Sequence, residues 1–415
     1  MHDVIIIGAG PAGLTAAIVA ARSGARMLVL EAAPTVGRKL LASGGGRCNL
    51  TNTLPVPEFM ARFGRQGRFM DPALAALDGP SLQSFLAELG VQTHAPDGRR
   101  VFPVGHRART VLDGLLAELS RLSVDVRTGC RVQGLDLEDG KAIGVRTADG
   151  LVPCGAVVLA TGGCGYPTLG GDHSGQTLAA ECGHGLVPNH PGMVPLVIRE
   201  TWFADWRADT VGGAVVRVRR PGKQRIEGRG DLIFTRDGLA GPVILDLARE
   251  ITPLLADGDE VPLELELSGH TESWWHDALT RGRERAFRHT LRGWLDRTKT
   301  IPRDMVYALP LIVGVDPDHA VNELTNQNIA RLAAVLGRVT VTVVGHAGWN
   351  AAMVMRGGVR LKDVRPETLA SRRVAGLFLA GEVLDLDGPC GGFNLQWAFA
   401  SGYLAGGAAA ALARS

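Results

Sequence analysis

The chain has 415 residues, 46% of them hydrophobic, and carries 44 Lys and Arg against 42 Asp and Glu for a net charge of +2. This is long for one core and predicts two or three domains with a large buried interior. The near balance of charge excludes a global basic field for nucleic acid and a global acidic field for cations. No stretch reaches the ~18 uninterrupted apolar residues of a membrane span. The apolar opening lacks a basic start and is broken by Gly8, Gly10 and Pro11, so it does not read as a signal peptide. The six cysteines (Cys48, Cys130, Cys154, Cys164, Cys182 and Cys390) form no CxxC and no metal-like spacing with His. Reduced thiols, no metal, no membrane partner and a cytoplasmic location are the expectation.

Val4 to Ile7 read as a buried strand, followed by Gly8-Ala9-Gly10-Pro11-Ala12-Gly13. Gly8 permits the tight turn, Gly10 lets backbone approach a pyrophosphate, and Gly13 lets the helix pack close to the sheet. The helix from Pro11 to about Ser23 offers its N-terminal N–H groups to phosphates. Arg26 to Leu30 form the second strand, and Glu31, eighteen positions after Gly13, can accept from ribose hydroxyls. Strand, turn, helix and acid together predict a dinucleotide site; the alternative is a plain Gly-rich turn.

Next comes Gly37-Arg38-Lys39, running on to Gly44-Gly45-Gly46-Arg47-Cys48-Asn49. Consecutive glycines cost backbone entropy, which suggests backbone lying against a ligand with Arg38, Lys39 and Arg47 beside it; the alternative is a flexible surface loop. Residues 72–122 read as mostly helical, interrupted by a loop at Asp97–Pro103. Val124–Val132, Gly134–Leu137 and Ala142–Thr147 read as a β-meander, and Ala156–Ala160 as a buried strand running into Thr161-Gly162-Gly163. Residues 189–356 read as an insert with β-like runs at Val211–Arg219, Asp231–Thr235, Val261–Leu267 and Val339–Val344, and a helical subdomain at about 271–337. Gly376–Ala380 return to a buried strand. Gly381-Glu382, a Gly-rich turn through Cys390-Gly391-Gly392 and a closing helix follow.

The set Gly8-x-Gly10-x-x-Gly13, Gly37-Arg38-Lys39 to Asn49, Ala160-Thr161-Gly162-Gly163, and Gly381-Glu382 to Asn394-Leu395-Gln396-Trp397 resembles the BaiN-like flavoproteins. These are also called YhiN-like or aminoacetone-oxidase-like NAD(P)/FAD-dependent oxidoreductases. Arg100-Val101-Phe102-Pro103, Phe234-Thr235 to Gly241-Pro242 and Gly357-Gly358-Val359 match as well, so the resemblance spans essentially the whole chain. It implies an α/β fold: a glutathione-reductase-like Rossmann FAD-binding domain, 1–188 with 357–415, carrying an inserted β-barrel plus small helical domain, 189–356.

The resemblance also implies tightly held FAD. Gly8, Gly10, Ala12 and Gly13 are then expected on the pyrophosphate, Glu31 with Ala32 at the adenosine ribose, and Arg38 and Lys39 on phosphate or fixing the loop. Gly44, Gly45, Gly46, Cys48 and Asn49 are expected on the flavin side, and Val132 on adenine through its backbone. Ala160, Thr161 and Gly162 are expected on the nucleotide side. Gly381, Glu382, Gly392, Phe393, Asn394 and Leu395 are expected over ribityl and pyrimidine, where a helix N-terminus suits the charge of the reduced ring.

Family members are associated with amine oxidation, enone reduction in steroid acids and reduction of uridine in ribosomal RNA, all by hydride transfer at flavin N5. The expected function is therefore an FAD-dependent oxidoreductase acting on a small amine or enone. No second GxGxxG is present, so NAD(P)H would serve as a transient donor. One alternative is a flavoenzyme reducing a base in structured RNA, bound through the basic stretches 217–229 and 281–303; the plainer reading of those stretches is a solvated helix face and a β-hairpin with ordinary surface charge. Another is a non-catalytic flavin-bearing sensor. Catalytic candidates are His346, a strand-end imidazole able to act as general acid or simply to hydrogen bond, and Cys390, which stands where a small hydroxyl residue is usual; a redox pair with Cys48 is the further alternative, without a CxxxxC signature to support it. Trp274, Trp275 and Trp294 read as packing of the helical insert rather than a base-stacking platform.

Overall fold

The computed structural model describes residues 2–203, 210–219, 226–285, 289–303 and 305–414. The chain divides into two compact units, Met1–Asn189 with Met353–Ser415, and His190–Ala352.

The first unit is built on a seven-stranded sheet. Its first strand, His2–Ile7, has Val4, Ile5, Ile6 and Ile7 all buried. A strand apolar on both faces must be covered on both, which places it centrally in a parallel sheet. It pairs in parallel with the second strand, Met27–Leu30, through Val4↔Met27 to Ile7↔Leu30. On its other side runs the long strand Gly150–Leu159, through Val4↔Ala156 to Ile7↔Leu159. That strand starts antiparallel to Lys141–Thr147 and ends parallel to its neighbours. The last strand, Leu377–Leu379, joins the same sheet by pairing with Val157 to Leu159. The chain's far end thereby reaches the sheet that begins with residue 2.

Two local expectations fail. Of Val124–Val132 only Asp125–Arg127 is a strand, and it pairs in parallel with the second strand instead of opening a meander. Gly129 adopts φ +67 and donates to Ala33 O, while Cys130 donates to Glu31 O, so this segment turns back onto the end of the second strand. Within the expected loop Asp97–Pro103, Arg100–Pro103 is a strand pairing with Thr51–Asn52 and Thr93–His94. Burial of Val101 and Phe102 on this small sheet overrides the turn residues before them.

The first helix, Pro11–Arg22, is covered by the closing helix, Phe393–Arg414. A Cβ on Gly402 would lie 2.1 Å from Ala12 O and one on Gly406 2.3 Å from Ala16 O. Only glycine admits so close an approach of two helix backbones.

The second unit holds a closed six-stranded barrel, in the order Leu196–Ile198, Gly238–Ala240, Ile226–Phe234, Thr210–Val218, Val261–Glu266 and Val339–His346. Val216, Leu232, Phe234, Leu263, Leu265, Val341 and Val343 fill its core. Closure leaves no unpaired edge. The helices Glu272–Arg285, Leu291–Thr298, Met305–Ile312 and Asn326–Gly337 pack in the same unit, with Trp275 fully buried. Trp275 donates to Ser268 Oγ at 2.8 Å, a packing role, while Trp274 is exposed and stacks on His270 at 3.7 Å. Among the described residues no helix is long and apolar enough to cross a membrane.

Candidate active site

The dinucleotide motif folds as strand, turn and helix. Gly8 sits at φ +102, where an added Cβ would meet Ala160 O at 2.5 Å. Gly13 is tighter still, 1.9 Å from Gly8 O. Gly10 differs: a Cβ there meets nothing within 4 Å. Gly8 and Gly13 thus serve the turn and helix packing, while Gly10 faces open space. The first helix has Pro11 at its start and no side-chain cap. Its first N–H groups therefore have no intrahelical or capping acceptor, the arrangement that receives a phosphate.

Glu31 is held by backbone: Oε2 accepts from Ala9 N–H at 2.8 Å and Oε1 from Ala33 N–H at 2.8 Å. A carboxylate has about four acceptor positions, so ribose hydroxyls remain within its capacity. Ala32 lies between these anchors. Val132 is buried, in the segment leading to the strand Gly134–Glu138.

Gly44, Gly45 and Gly46 adopt φ of +57, +65 and +83, and Gly44 and Gly45 are exposed, so backbone is presented outward. Cys48 turns inward at φ +60 and is fully buried. Burial pushes its thiol up to about 12, which keeps it protonated and unreactive. All six cysteines are free thiols, so Cys48 and Cys390 form no disulfide here. The amide of Asn49 bridges the two Gly-rich loops, donating to Thr51 O and accepting from Gly392 N–H, both at 3.2 Å. Asn52 adds a bond to Gly391 O at 2.9 Å. The structure thus joins segment 44–49 to segment 391–395, over 300 residues away in sequence.

Lys39 takes the loop-fixing alternative, and Glu382 is its partner. They pair with each other at 2.8 Å. Glu382 Oε2 also accepts from Gly163 N–H and Oε1 from Met355 N–H. This knot fixes Gly163 beside Gly381, and a side chain at Gly163 would strike Glu382 Cδ at 2.8 Å. The carboxylate's role here is to lock the loops. Arg38 donates to Thr168 O at 2.8 Å. Ala160 ends the long strand with its N–H on Ile7 O, and Thr161 and Gly162 follow it directly.

In the first turn of the closing helix, Asn394 ties down the preceding turn by both donating to Gly388 O and accepting from Gly388 N–H, each at 2.8 Å. Phe393 packs on Phe59 at 4.7 Å, so its ring belongs to the core and only its backbone faces the turn; Leu395 is half-buried. Gly381 N–H donates to Ser401 Oγ, and Trp397 Nε1–H donates to Gly381 O. Asn52 and Ser401 carry no signal of these contacts in the sequence. Side chains that hold distant loops leave no local spacing pattern to read.

His346 lies at the end of its strand in the second unit, half-buried. Its Nδ1 accepts from Gly348 N–H at 3.0 Å, and burial lowers its pKa. With Nδ1 an acceptor, the edge of the ring left for other partners is Nε2. In the basic stretches, Arg217 is paired with Glu227 and Glu266, Arg219 with Glu264 and Arg292 with Asp318. Arg220, Lys223, Arg225 and Arg288 lie outside the described residues.

A central parallel sheet, an open Gly10, an uncapped helix and a carboxylate after the second strand define a Rossmann dinucleotide-binding protein. The chain belongs to the HI0933-like protein Rossmann domain family, whose match runs over residues 2–408. It is 34% identical to the 3-dehydro-bile acid delta(4,6)-reductase of Clostridium scindens, over 99% of each chain. It is 28% identical to the ribosomal RNA dihydrouridine synthase of Escherichia coli K12, over 97% of this chain and 96% of that one. The 3-ketosteroid-delta4-(5alpha)-dehydrogenase of Rhodococcus jostii RHA1 shares the fold, with a TM-score of 0.52 at 18% identity, covering 99% of this chain and 96% of that one. The protein is an FAD-dependent oxidoreductase.

Proposed function

We propose that the protein reduces a carbon–carbon double bond conjugated to a carbonyl, taking electrons from NAD(P)H through FAD. The observation that carries this is the end-to-end 34% identity to a reductase of a 3-dehydro-bile acid. A 4,6-unsaturated 3-ketone and the C5=C6 bond of uridine share one electronic feature: the carbonyl polarises the alkene so that its β carbon accepts a hydride. The two full-length relatives therefore name one type of chemistry on substrates of very different size.

In this reading Gly10 and Ala12 face the pyrophosphate of FAD at the uncapped first helix, while Gly8 and Gly13 supply the turn and the close helix packing that place them there. Glu31 takes the adenosine ribose, with Ala32 beside it and Val132 at adenine. Arg38 and the Lys39–Glu382 pair hold the loops around the cofactor, and Ala160, Thr161 and Gly162 line its nucleotide side. Gly44 to Gly46, Cys48 and Asn49 approach from one segment, and Gly381 and Gly392 to Leu395 from the other. Bound FAD supplies hydride transfer from N5. The chain's own residues hold the substrate, exclude water and manage the proton that must reach the α carbon.

An anaerobic two-step assay tests the reading. NADH or NADPH is expected to bleach the flavin, and a 3-oxo-4,6-diene bile acid or 4-androstene-3,17-dione to restore its colour with loss of the alkene. If amines bleach the oxidised flavin while no enone reoxidises the reduced one, the reading is wrong. A second reading, in which the alkene is a pyrimidine in structured RNA, is favoured by the 28% identity to the dihydrouridine synthase. Reoxidation by unmodified ribosomal RNA, weakening steeply with salt, would support it.

A further inference from the structure

We propose that Asp385 is the proton donor of this reduction, delivering a proton to the α carbon of the substrate while Gln66 holds its carboxyl in place. The proposal rests on the enone reading above. Saturating an enone takes two electrons and one hydrogen at the β carbon as a hydride from the reduced cofactor, and one proton at the α carbon. That proton leaves the carboxyl, which becomes a carboxylate and is reprotonated from water.

Asp385 lies in the turn that joins Gly381-Glu382 to Gly391-Gly392, so both ends of its loop belong to the segments assigned to the cofactor. It is fixed from three directions. Its N–H donates to Val359 O at 2.9 Å. Its Oδ2 accepts from Gln66 Nε2 at 2.7 Å, and Gln66 comes from the separate helical turn Gly64–Met70. The N–H of Gly357, on the strand Val354–Val359, also donates to the carboxyl. Arg356 on that same strand adds a positive charge that acts on it. A carboxyl held this way keeps its direction through a reaction cycle.

The chemistry of the setting suits an acid. Burial raises the pKa of Asp385, against the opposing pull of Gln66, Arg356 and Gly357. Burial favours the protonated form before transfer, and the two hydrogen-bond donors receive the negative charge left afterwards. The residue is half-buried, so a proton can return from solvent. Two other acids of the segments assigned to the cofactor are less suited. Glu382 has both oxygens engaged by Lys39, Gly163 and Met355. Cys48 is fully buried with its thiol pushed up to about 12. Tyr166, half-buried and also raised in pKa by burial, is the rival.

The test compares wild type with Asp385→Asn, Gln66→Leu and Tyr166→Phe. Asp385→Asn is expected to retain FAD and its reduction by NAD(P)H, but to slow reoxidation by 4-androstene-3,17-dione about 10²–10⁴-fold. Asp385→Glu is expected to recover part of that loss. Gln66→Leu removes a donor to the carboxylate and so raises the pKa further. The alkaline limb of the reoxidation rate then moves to higher pH. A substrate-free readout runs alongside: the ¹³C carboxyl resonance of Asp385, assigned by its loss in Asp385→Asn, is expected to titrate above the ordinary aspartate range, and higher again in Gln66→Leu. Unchanged reoxidation in Asp385→Asn, or its loss in Tyr166→Phe alone, overturns the proposal. So does a carboxyl resonance that titrates in the ordinary range. If wild type reduces no enone, the functional reading fails, and the resonance alone decides whether Asp385 is a poised acid.

Discussion

At the scale of single residues, the glycines of the first turn separate two physical roles that look alike in the sequence. Gly13 has no room for a side chain, with Gly8 O 1.9 Å from its added Cβ, whereas Gly10 has only open space. Gly10→Val is therefore expected to fold with a melting temperature close to that of unliganded wild type and to purify colourless, because its side chain occupies the place of the pyrophosphate. Gly13→Ala is expected to lose on the order of 1–3 kcal/mol of stability through overpacking. Thermal melts and released-flavin absorbance check both. Cys48 gives a further expectation: native protein at pH 8 leaves this thiol unmodified by iodoacetamide, since its pKa is pushed up to about 12. Peptide mapping reads the result.

At the scale of elements, the closing helix shows what pattern reading misses. Its C-terminal half, rich in Ala and Gly, attracts notice in the sequence mainly as too short to span a membrane. In the fold, Gly402 and Gly406 lie one turn apart and bring the helix against Ala12 and Ala16 of the nucleotide-binding helix. Gly407, on another face, has only Val19 Cγ1 at 3.7 Å. Gly406→Ala should therefore destabilise the protein by about 1–3 kcal/mol, while Gly407→Ala should be neutral or stabilising by up to about 1 kcal/mol from helix propensity alone. Equal effects of the two changes in a denaturant melt would contradict the packing described. The strand Arg100–Pro103 carries the same lesson: its Gly98 and Pro103 signal a loop, and partners at Thr51 and Thr93 make it a strand.

At the scale of the whole molecule, the ion pairs of the buried Glu118 with two arginines nearer the surface set part of the acid stability. Glu118 bonds Arg121 at 2.7 Å and Arg22 at 2.8 Å. These guanidinium groups, Arg121 foremost, lower its pKa from 4.5 to about 2. A folded-state pKa below the unfolded one means that the stabilisation is present above about 4.5 and is lost as pH falls toward about 2. Melting temperature should drop through that window, and Glu118→Gln should start lower at pH 7 and drop less. A parallel fall in both proteins would show that other groups dominate.

The sequence by itself determined the nucleotide-binding half of this protein. Val4–Ile7, Gly8-x-Gly10-x-x-Gly13 and Glu31 lie within one strand–helix–strand unit, where steric needs appear as local spacing. It also marked four strands of the insert, because alternation has a period that can be read without partners, but not the three-residue strands Leu196–Ile198 and Gly238–Ala240, which are too short to show a period and exist through their barrel neighbours. Tertiary structure decided which of those residues act on backbone and which on open space. Glu31 and Glu382 are both acids after a buried strand, yet Glu31 ties Ala9 to Ala33 while Glu382 pairs Lys39 and locks Gly163. It likewise joined Asn49 to Gly392 and Gln66 to Asp385. Such contacts span hundreds of residues, and their geometry exists only once the sheet has closed around the chain's two ends.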